Sequence, residues 1–522
     1  MKKILYNKKA FILSLALVSI SMSVSGQDKT NTPAAYEQMK LVNQWQKSSN
    51  AAGMLLDNPV NYTEVSATFD SYSGNFHRPQ EGEKGNNLNF NAEGAVYVGK
   101  VYALGKFDYT RKTIKDANFN ASIADPFRGM PYMVADINKS EWRNQVFDMS
   151  FKVATPFLSD KLHVGLETGY KAISAAKQRD IRSENYYYII QVKPGFVFSI
   201  NEQHHIGANF DYFNLKEESV TSNVNTYVDQ QYYEMYGLGT SVQRIGSGRT
   251  TDYTGNSVGG GFQYNYHGAI KVLFSSDYAY KVEDVKIGFS GARDDSGVKD
   301  KIWNSRLQLS TTPGDLTHFL TLDYNNRKIE GIECITEYDN SAEQSGYVTL
   351  LKDIRSKYNT QAAALDYDVT INNQEDEYDW KIGLGAKYIN RDDIYINPRS
   401  EKNSENLAFQ LRAKKNFIIS TDNLQKRFLL GADYSYNKNL SGEYNYNGSH
   451  PEHIVVKEFE QLDSDYFNSN FWSIGATATY SQRIKEDAAA NIFAKIDFRY
   501  TNTSSFDFDK RSLILISLGF NF

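Results

Sequence analysis

From residue 61 onward, apolar and polar side chains alternate in runs of roughly ten residues separated by turn signals. Leu162, Val164, Leu166 and Tyr170 share one parity against His163, Gly165, Glu167 and Gly169. Ile382, Leu384, Ala386 and Tyr388 oppose Lys381, Gly383, Gly385 and Lys387 in the same way. So do Trp472, Ile474, Ala476, Ala478 and Tyr480 against Ser473, Gly475, Thr477 and Thr479. A period of two places each set on one face of an extended strand. A soluble sandwich turns its polar face outward. Here small and charged residues recur on one face and aromatics cluster near the ends of the other, which suits an apolar exterior around a wet interior.

The segments predict strands near 61–72, 86–98, 100–112, 143–155, 161–172, 188–199, 204–216, 257–267, 269–282, 300–310, 316–328, 359–371, 378–390, 404–415, 427–438, 470–482, 489–500 and 511–522. The expected fold is all-β: a transmembrane antiparallel up-and-down barrel of about 18 strands, preceded by a short helix. Ile287 to Ser290 reads as a loop extension or a further strand, so the range is about 16–20. Short turns such as Gly99-Lys100, Leu158-Ser159-Asp160, Thr312-Pro313-Gly314-Asp315 and Lys485-Glu486-Asp487 alternate with long connections near 113–142, 217–256, 328–358 and 438–469. An even strand count puts both ends of the barrel on the short-turn, periplasmic side.

The two ends of the chain refine this picture. Ile514, Ile516, Leu518, Phe520 and Phe522 share a face of the last strand, which stops on the aromatic itself. A strand ending in Phe is similar to the assembly signal read by the barrel insertion machinery, so Phe520 and Phe522 are expected to carry that signal. At the other end Lys2, Lys3, Lys8 and Lys9 precede an apolar core from Phe11 to Ile20 and small residues at Ser23, Ser25 and Gly26. This reads as an export leader over 1–26, too short to span a bilayer, with no cysteine after the core to carry a lipid. Thr32-Pro33 reads as an N-cap and first helical residue. Tyr36, Met39, Val42 and Trp45 then form a stripe to Asn50, continued across Gly53 to Leu56. The segment 27–58 is expected to plug or cap the periplasmic mouth, or to pack passively beneath its rim; the barrel occupies 59–522.

Composition narrows the alternatives. A hydrophobic fraction of 41% over 522 residues and a mean hydropathy of −0.54 exclude a polytopic helical membrane protein, whereas barrels look polar because half of each strand faces inward. A secreted sandwich or propeller has a similar composition. Loss of the leader removes four lysines and no acid, taking the net charge from −5 to −9, so nucleic acid is not an expected partner. The single cysteine, Cys334, excludes a disulfide scaffold.

Candidate chemistry is sparse. His450-Pro451-Glu452-His453 lies in a long connection, with Glu458, Glu460 and Asp463 close behind. Imidazoles beside carboxylates can ligate a transition metal, so His450 and His453 are the candidate ligands. Against this stands a hydrated acidic loop in which Pro451 prevents the helix that would align the rings. His204-His205 falls at a short turn and reads as structural. Asp294-Asp295 and Asp392-Asp393 read as solvated loop pairs, and Asp116-Ala117-Asn118, Asn225 and Tyr232-Tyr233 as loop residues able to bind sugar or protein, or to pack over the mouth. No nucleophile, base and orienter recur together, so no enzymatic activity and no cofactor are expected. On the inward faces Glu167, Lys171, Lys381, Lys387, Asp433, Lys495, Asp497 and Arg499 are expected to line the lumen, in both signs of charge.

The run Tyr36-Glu37-Gln38-Met39-Lys40-Leu41-Val42-Asn43-Gln44-Trp45, followed by Ser48-Ser49-Asn50-Ala51-Ala52-Gly53, resembles an uncharacterised family of outer-membrane β-barrel proteins of Bacteroidota, domain of unknown function 6850. The resemblance covers the mature chain and carries no catalytic motif. It implies a place in the outer membrane, contact with lipid and the barrel assembly machinery, and an accessory role beside a TonB-dependent receptor or surface lipoprotein in nutrient or metal uptake. Two functions stay open: a polar-lined pore for small solutes, and a non-conducting scaffold or surface-binding barrel.

Overall fold

The computed structural model describes residues 31–522 apart from 158, 289–291, 342–344, 374–376, 421–423 and 485–489. The leader at 1–26, the turn at 485–487 and part of the Ile287–Ser290 segment lie outside the described residues. Eighteen antiparallel strands form one closed sheet in which every strand pairs with its neighbours in the chain. The last strand, Lys510–Asn521, closes the ring on the first, Tyr62–Ser73, with Val65 opposite Phe520 and Thr68 opposite Ser517. Closure removes the edges of the ring itself, so no row of backbone donors and acceptors is left open across the closed sheet.

Each of the eighteen expected segments corresponds to one strand of this ring. Side-chain chemistry divides along the pleat as the alternation requires. Ile474, Ile496, Phe498, Ile514, Leu518 and Phe520 stand exposed on the exterior, whereas Thr479, Ser481, Asn491 and Ser517 are buried on the interior. Phe428 lies opposite Tyr480 near the short-turn rim, and Tyr436 opposite Trp472 eight residues higher. At ~3.4 Å per residue and a ~40° tilt, that interval spans roughly 21 Å along the barrel axis, close to the apolar band of a barrel in lipid.

The short turns follow from local backbone preference. Gly99 and Gly314 both adopt φ of +63°, a conformation that is free for glycine and strained for a residue with a Cβ. The first lets Val98 pair with Val101 across a two-residue hairpin.

The long connections differ from expectation. Most of 328–358 is strand rather than loop: Leu316–Asp339 and Gly346–Asn372 run on as a hairpin that pairs out to Asp339 and Gly346. Asp294-Asp295 and Asp392-Asp393 sit within strands Arg293–Thr311 and Tyr378–Tyr395 rather than in loops. Above the bilayer neither face has to be apolar, so the alternation that marks a spanning strand fades while backbone pairing continues. The connection at 217–256 contains Gln230–Gly237 and Thr240–Gly246, which join Met133–Asp136 in a separate three-stranded sheet. The connection at 438–469 ends in a helical segment over Val455–Phe467. Among the described residues no helix is long and apolar enough to cross a membrane.

Candidate functional site

Eighteen strands enclose a lumen wide enough for a water-filled channel. The N-terminal segment occupies its short-turn end. Thr32 caps a helix over Pro33–Val42, its hydroxyl accepting from the Ala35 N–H at 3.3 Å, and donates that hydroxyl to Glu377 at 2.5 Å. The helix stops at Val42 instead of running to Asn50. Trp45–Lys47 and Ala51–Asp57 are 3₁₀ turns, the second begun by the Asn50 side chain accepting from the Ala52 N–H at 3.1 Å. Breaking the helix lets the chain wrap around the wall.

The wall holds it from all sides. Glu37 meets Lys414 at 2.5 Å and accepts from the Tyr378 hydroxyl at 2.8 Å; Lys40 meets Glu93 at 3.0 Å on the opposite side. The Tyr36 hydroxyl donates to the Phe522 carbonyl at 2.9 Å, across the seam between first and last strands. Buried Trp45 donates its ring N–H to Asn265 at 3.3 Å. The Asn50 amide donates to the Phe196 and Ala208 carbonyls at 3.0 and 3.2 Å and to Gln263 at 2.8 Å. Lys152 reaches the Gln46 and Ser48 carbonyls at 3.2 and 3.1 Å. A glycine niche makes this approach possible: a Cβ on Gly165 would stand 2.3 Å from the Ala52 nitrogen, and one on Gly195 2.3 Å from the Asn50 amide oxygen.

Two acids in the segment respond oppositely to this setting. Burial pushes the Asp57 carboxyl up to about 7, against the Trp45 N–H that donates to it at 2.8 Å. Burial raises Glu37 as well, but Lys414 and Lys381 outweigh it and hold that carboxyl below its usual range.

At the long-loop end, folded connections pack against the inner wall and narrow the mouth. Phe119, Ile123, Tyr132, Met133, Tyr233 and Met235 pack with Val455 and Phe459 of the helical segment against Tyr253, Val285, Val298 and Ile329 of the inner wall. Buried ion pairs pin this lid. Arg128 bridges Glu217 and Glu283, Lys177 meets Asp136 at 2.6 Å, and Arg249 joins Glu234 to Asp295 at 3.4 and 3.3 Å. Lys402 meets Glu460 at 2.5 Å and Asp463 at 3.0 Å, and Arg78 meets Asp463 at 2.5 Å. Burial raises the Asp463 carboxyl, but Lys402 and Arg78 prevail and hold it far below the usual range.

Between the two closures the lumen is wet and mixed in charge. Arg306 and Asp323 pair at 2.5 Å yet keep more than a third of each side chain exposed. Of the residues singled out from the sequence, Asp433 and Arg499 pair at 3.2 Å, Lys495 and Asp497 at 2.8 Å. Glu167 meets Lys152 at 3.2 Å, and Lys381 lies 4.0 Å from Glu37. Lys171 and Lys387 share the pleat side of Glu167 and Lys381 on their strands. Phe520 is exposed on the exterior, and the Phe522 N–H donates to the Thr63 carbonyl at 2.9 Å. His450 and His453 are together in the lid connection, their rings stacked 4.6 Å apart. His205 donates to or accepts from Ser199 at 2.8 Å, a contact within the barrel rim. The sequence assigns no contact role to Asn50, Glu377 or the niche glycines; for the glycines, small residues at matching heights on consecutive inward faces are the signal that marks them.

The family described as "Family of unknown function (DUF6850)" matches residues 51–522. No curated protein matches the chain. Among solved structures the chain is similar to BauA, the ferric preacinetobactin receptor from Acinetobacter baumannii, at 8% identity and a TM-score of 0.41 over 89% of this chain and 80% of that one. It is similar to the copper transporter OprC at 8% identity and a TM-score of 0.42, over 88% and 81%. It is also similar to Pseudomonas aeruginosa OpdK with vanillate, at 8% identity and a TM-score of 0.35, over 88% and 99%. Likeness at this level assigns no function.

Proposed function

The chain belongs to the DUF6850 family, whose function is unknown, and we propose that it is an outer-membrane transport barrel for small polar solutes, closed at rest by its own N-terminal segment. The observation that carries this reading is the segment itself. It fills the short-turn end through individually modest hydrogen bonds and ion pairs to strands all round the ring, above a wet chamber of both charge signs. Polar contacts of that kind, each worth about 1 kcal/mol net, suit a gate that can be released. The apolar exterior with aromatics at both rims supports the membrane placement. The proposal includes a Bacteroidota source, termini on the periplasmic side, insertion by the barrel assembly machinery, and no enzymatic role.

Conductance in a planar bilayer tests it. Intact protein should be silent, and protein lacking residues 31–57 should conduct. Full conductance with the segment in place would refute the gate. Silence after its removal would favour a second reading, which the ordered lid core supports: a non-conducting surface-binding or accessory barrel, associated with a TonB-dependent receptor or surface lipoprotein.

A further inference from the structure

The lid carries a cluster that neither closure requires. His450 and His453 sit at the two ends of a tight turn closed by the His453 N–H donating to the His450 carbonyl at 3.2 Å. This turn does what a helix would have done: it stacks the rings 4.6 Å apart, 6° from parallel. Pro451 therefore helps the alignment, because its fixed φ suits the turn. Glu452 lies beside the rings, its Oε1 3.0 Å from His450 Nδ1 and 4.0 Å from His453 Nε2. The three donor atoms all fall within 4.8 Å of one another.

We propose that His450 Nδ1, Glu452 Oε1 and His453 Nε2 form a binding site for a divalent transition-metal ion of the zinc class. Ligands at ~2.0–2.1 Å from a tetrahedral zinc stand about 3.3 Å apart. The two carboxylate–imidazole separations of 3.0 and 4.0 Å bracket that value, and turning the rings out of their stack, which the exposure of His450 allows, brings the donors to a common ion. Two imidazoles with a single carboxylate select Zn, Cu, Ni or Co over Ca or Mg, which demand more oxygens. One ligand is already positioned. His453 Nδ1 lies 3.2 Å from Ser241 Oγ and the ring stands edge-on to Tyr233 at 5.2 Å. With Nδ1 as the donor to this hydroxyl, the ring takes the tautomer that leaves the Nε2 lone pair free, the support that metal-binding histidines ordinarily receive. His450 and Glu452 are more than half exposed, which leaves a path for entry, and three protein ligands leave a coordination position for water or an incoming solute. Ser241 and Tyr233 belong to the small sheet, so an ion held here would clip the 446–454 connection to the lid. The site stands whether or not the lumen conducts.

Zinc titration of the purified full-length barrel, carrying an affinity tag without histidine, tests this by calorimetry and by metal analysis after dialysis. The expected result is one zinc per chain, with His450→Ala and His453→Ala each weakening affinity at least about tenfold and Glu452→Gln weakening it with the charge removed and the shape kept. Magnesium and calcium in excess should not compete. Copper(II) loaded in place of zinc should show two nitrogen couplings by electron paramagnetic resonance, and one in His453→Ala. Heat-modifiable migration of each variant checks that the barrel itself is folded. Zinc affinity unchanged in the His450→Ala/His453→Ala double variant, zinc retention no better than calcium, or a copper spectrum without nitrogen coupling would overturn the proposal.

Discussion

A single methyl group should loosen the gate. A Cβ at position 165 would stand 2.3 Å from the Ala52 nitrogen and 2.7 Å from the Ala51 carbonyl carbon and Ala52 Cα. These are backbone atoms, so no rotamer change relieves the clash. In Gly165→Ala the segment must withdraw by about 1 Å to reach an ordinary contact, a displacement of the kind that costs ~1–3 kcal/mol in overpacked cores. Withdrawal also draws Asn50 away from Phe196, Ala208 and Gln263, at about 1 kcal/mol per hydrogen bond. The net loss of about 3 kcal/mol corresponds to a roughly hundredfold rise in the undocked population. The reporter is Met54→Cys in a Cys334→Ser background, since Met54 is fully buried. Labelling by a water-soluble maleimide then follows the undocked fraction, whatever the lid does. Gly169→Ala is the control: it lies four residues along the same strand face, where a Cβ meets nothing closer than 3.7 Å. Labelling should accelerate about a hundredfold in Gly165→Ala and stay unchanged in Gly169→Ala. Equal rates in all three proteins, or equal acceleration in both glycine variants, would refute the niche as the seat of the segment.

The same reporter, normalised to an exposed cysteine, reads the pH dependence. Asp57 binds its proton more tightly docked than free, so its contribution to docking is complete below the ordinary carboxylate range and declines as pH rises toward about 7; Asp57→Asn should remove that slope. Glu37 has the opposite sign, its contribution present above the ordinary carboxylate range and lost on acidification, so Glu37→Gln should speed labelling at neutral pH and change it least in acid. Ala476→Arg places a charge on the exterior near mid-strand and should cost ~2–4 kcal/mol in a urea titration, whereas Thr477→Arg, beside Asp497 on the interior, should be tolerated; equal losses would mean that both faces are dry. Lys402→Met leaves Glu460 buried without its ion pair and Asp463 with Arg78 as its remaining salt-bridge partner, at ~3–5 kcal/mol, and limited proteolysis should then cut between 446 and 470 while the barrel survives.

What the sequence made legible was whatever the two solvents enforce. On Ile492–Tyr500 the exterior side chains must suit hydrocarbon and the interior ones water, so Ile496 and Phe498 alternate with Lys495, Asp497 and Arg499 and the strand is plain. Outside the bilayer that constraint lapses. The hairpin through Asp339 and Gly346 reads as loop because both of its faces meet water, although its backbone stays paired to the tip, with irregularities after Gly331 and Ile335. The lid is hidden for a different reason. Tyr233 and Met235 are buried only because Phe119, Met133 and Phe459 arrive from connections far away in the chain, and no local period records such a meeting. The N-terminal segment lies between these cases. Its apolar stripe of Tyr36, Met39, Val42 and Trp45 is visible, but the break after Val42 is decided by the wall, which offers Asn265 to Trp45 and a glycine niche to Ala51 and Ala52.

The two closures differ in the kind of contact that holds them, and that difference assigns their roles. The lid combines a continuous apolar core with ion pairs from which water is excluded. Breaking one buried partner there costs several kcal/mol, because the remaining charge stays buried. The N-terminal segment makes three separate apolar contacts, around Tyr36 and Met54, around Trp45 and around Ala34, and otherwise depends on polar groups that water can satisfy once it leaves. Its anchors include an acid raised toward neutrality and another held ionised by two lysines. Of the two ends, the short-turn end can therefore open at lower cost and in response to conditions, while the long-loop end keeps its shape. On the proposed transport reading, with the short-turn end facing the periplasm, a solute would meet the lid first and the segment Thr32–Asp57 second, so the lid would select and the segment would admit.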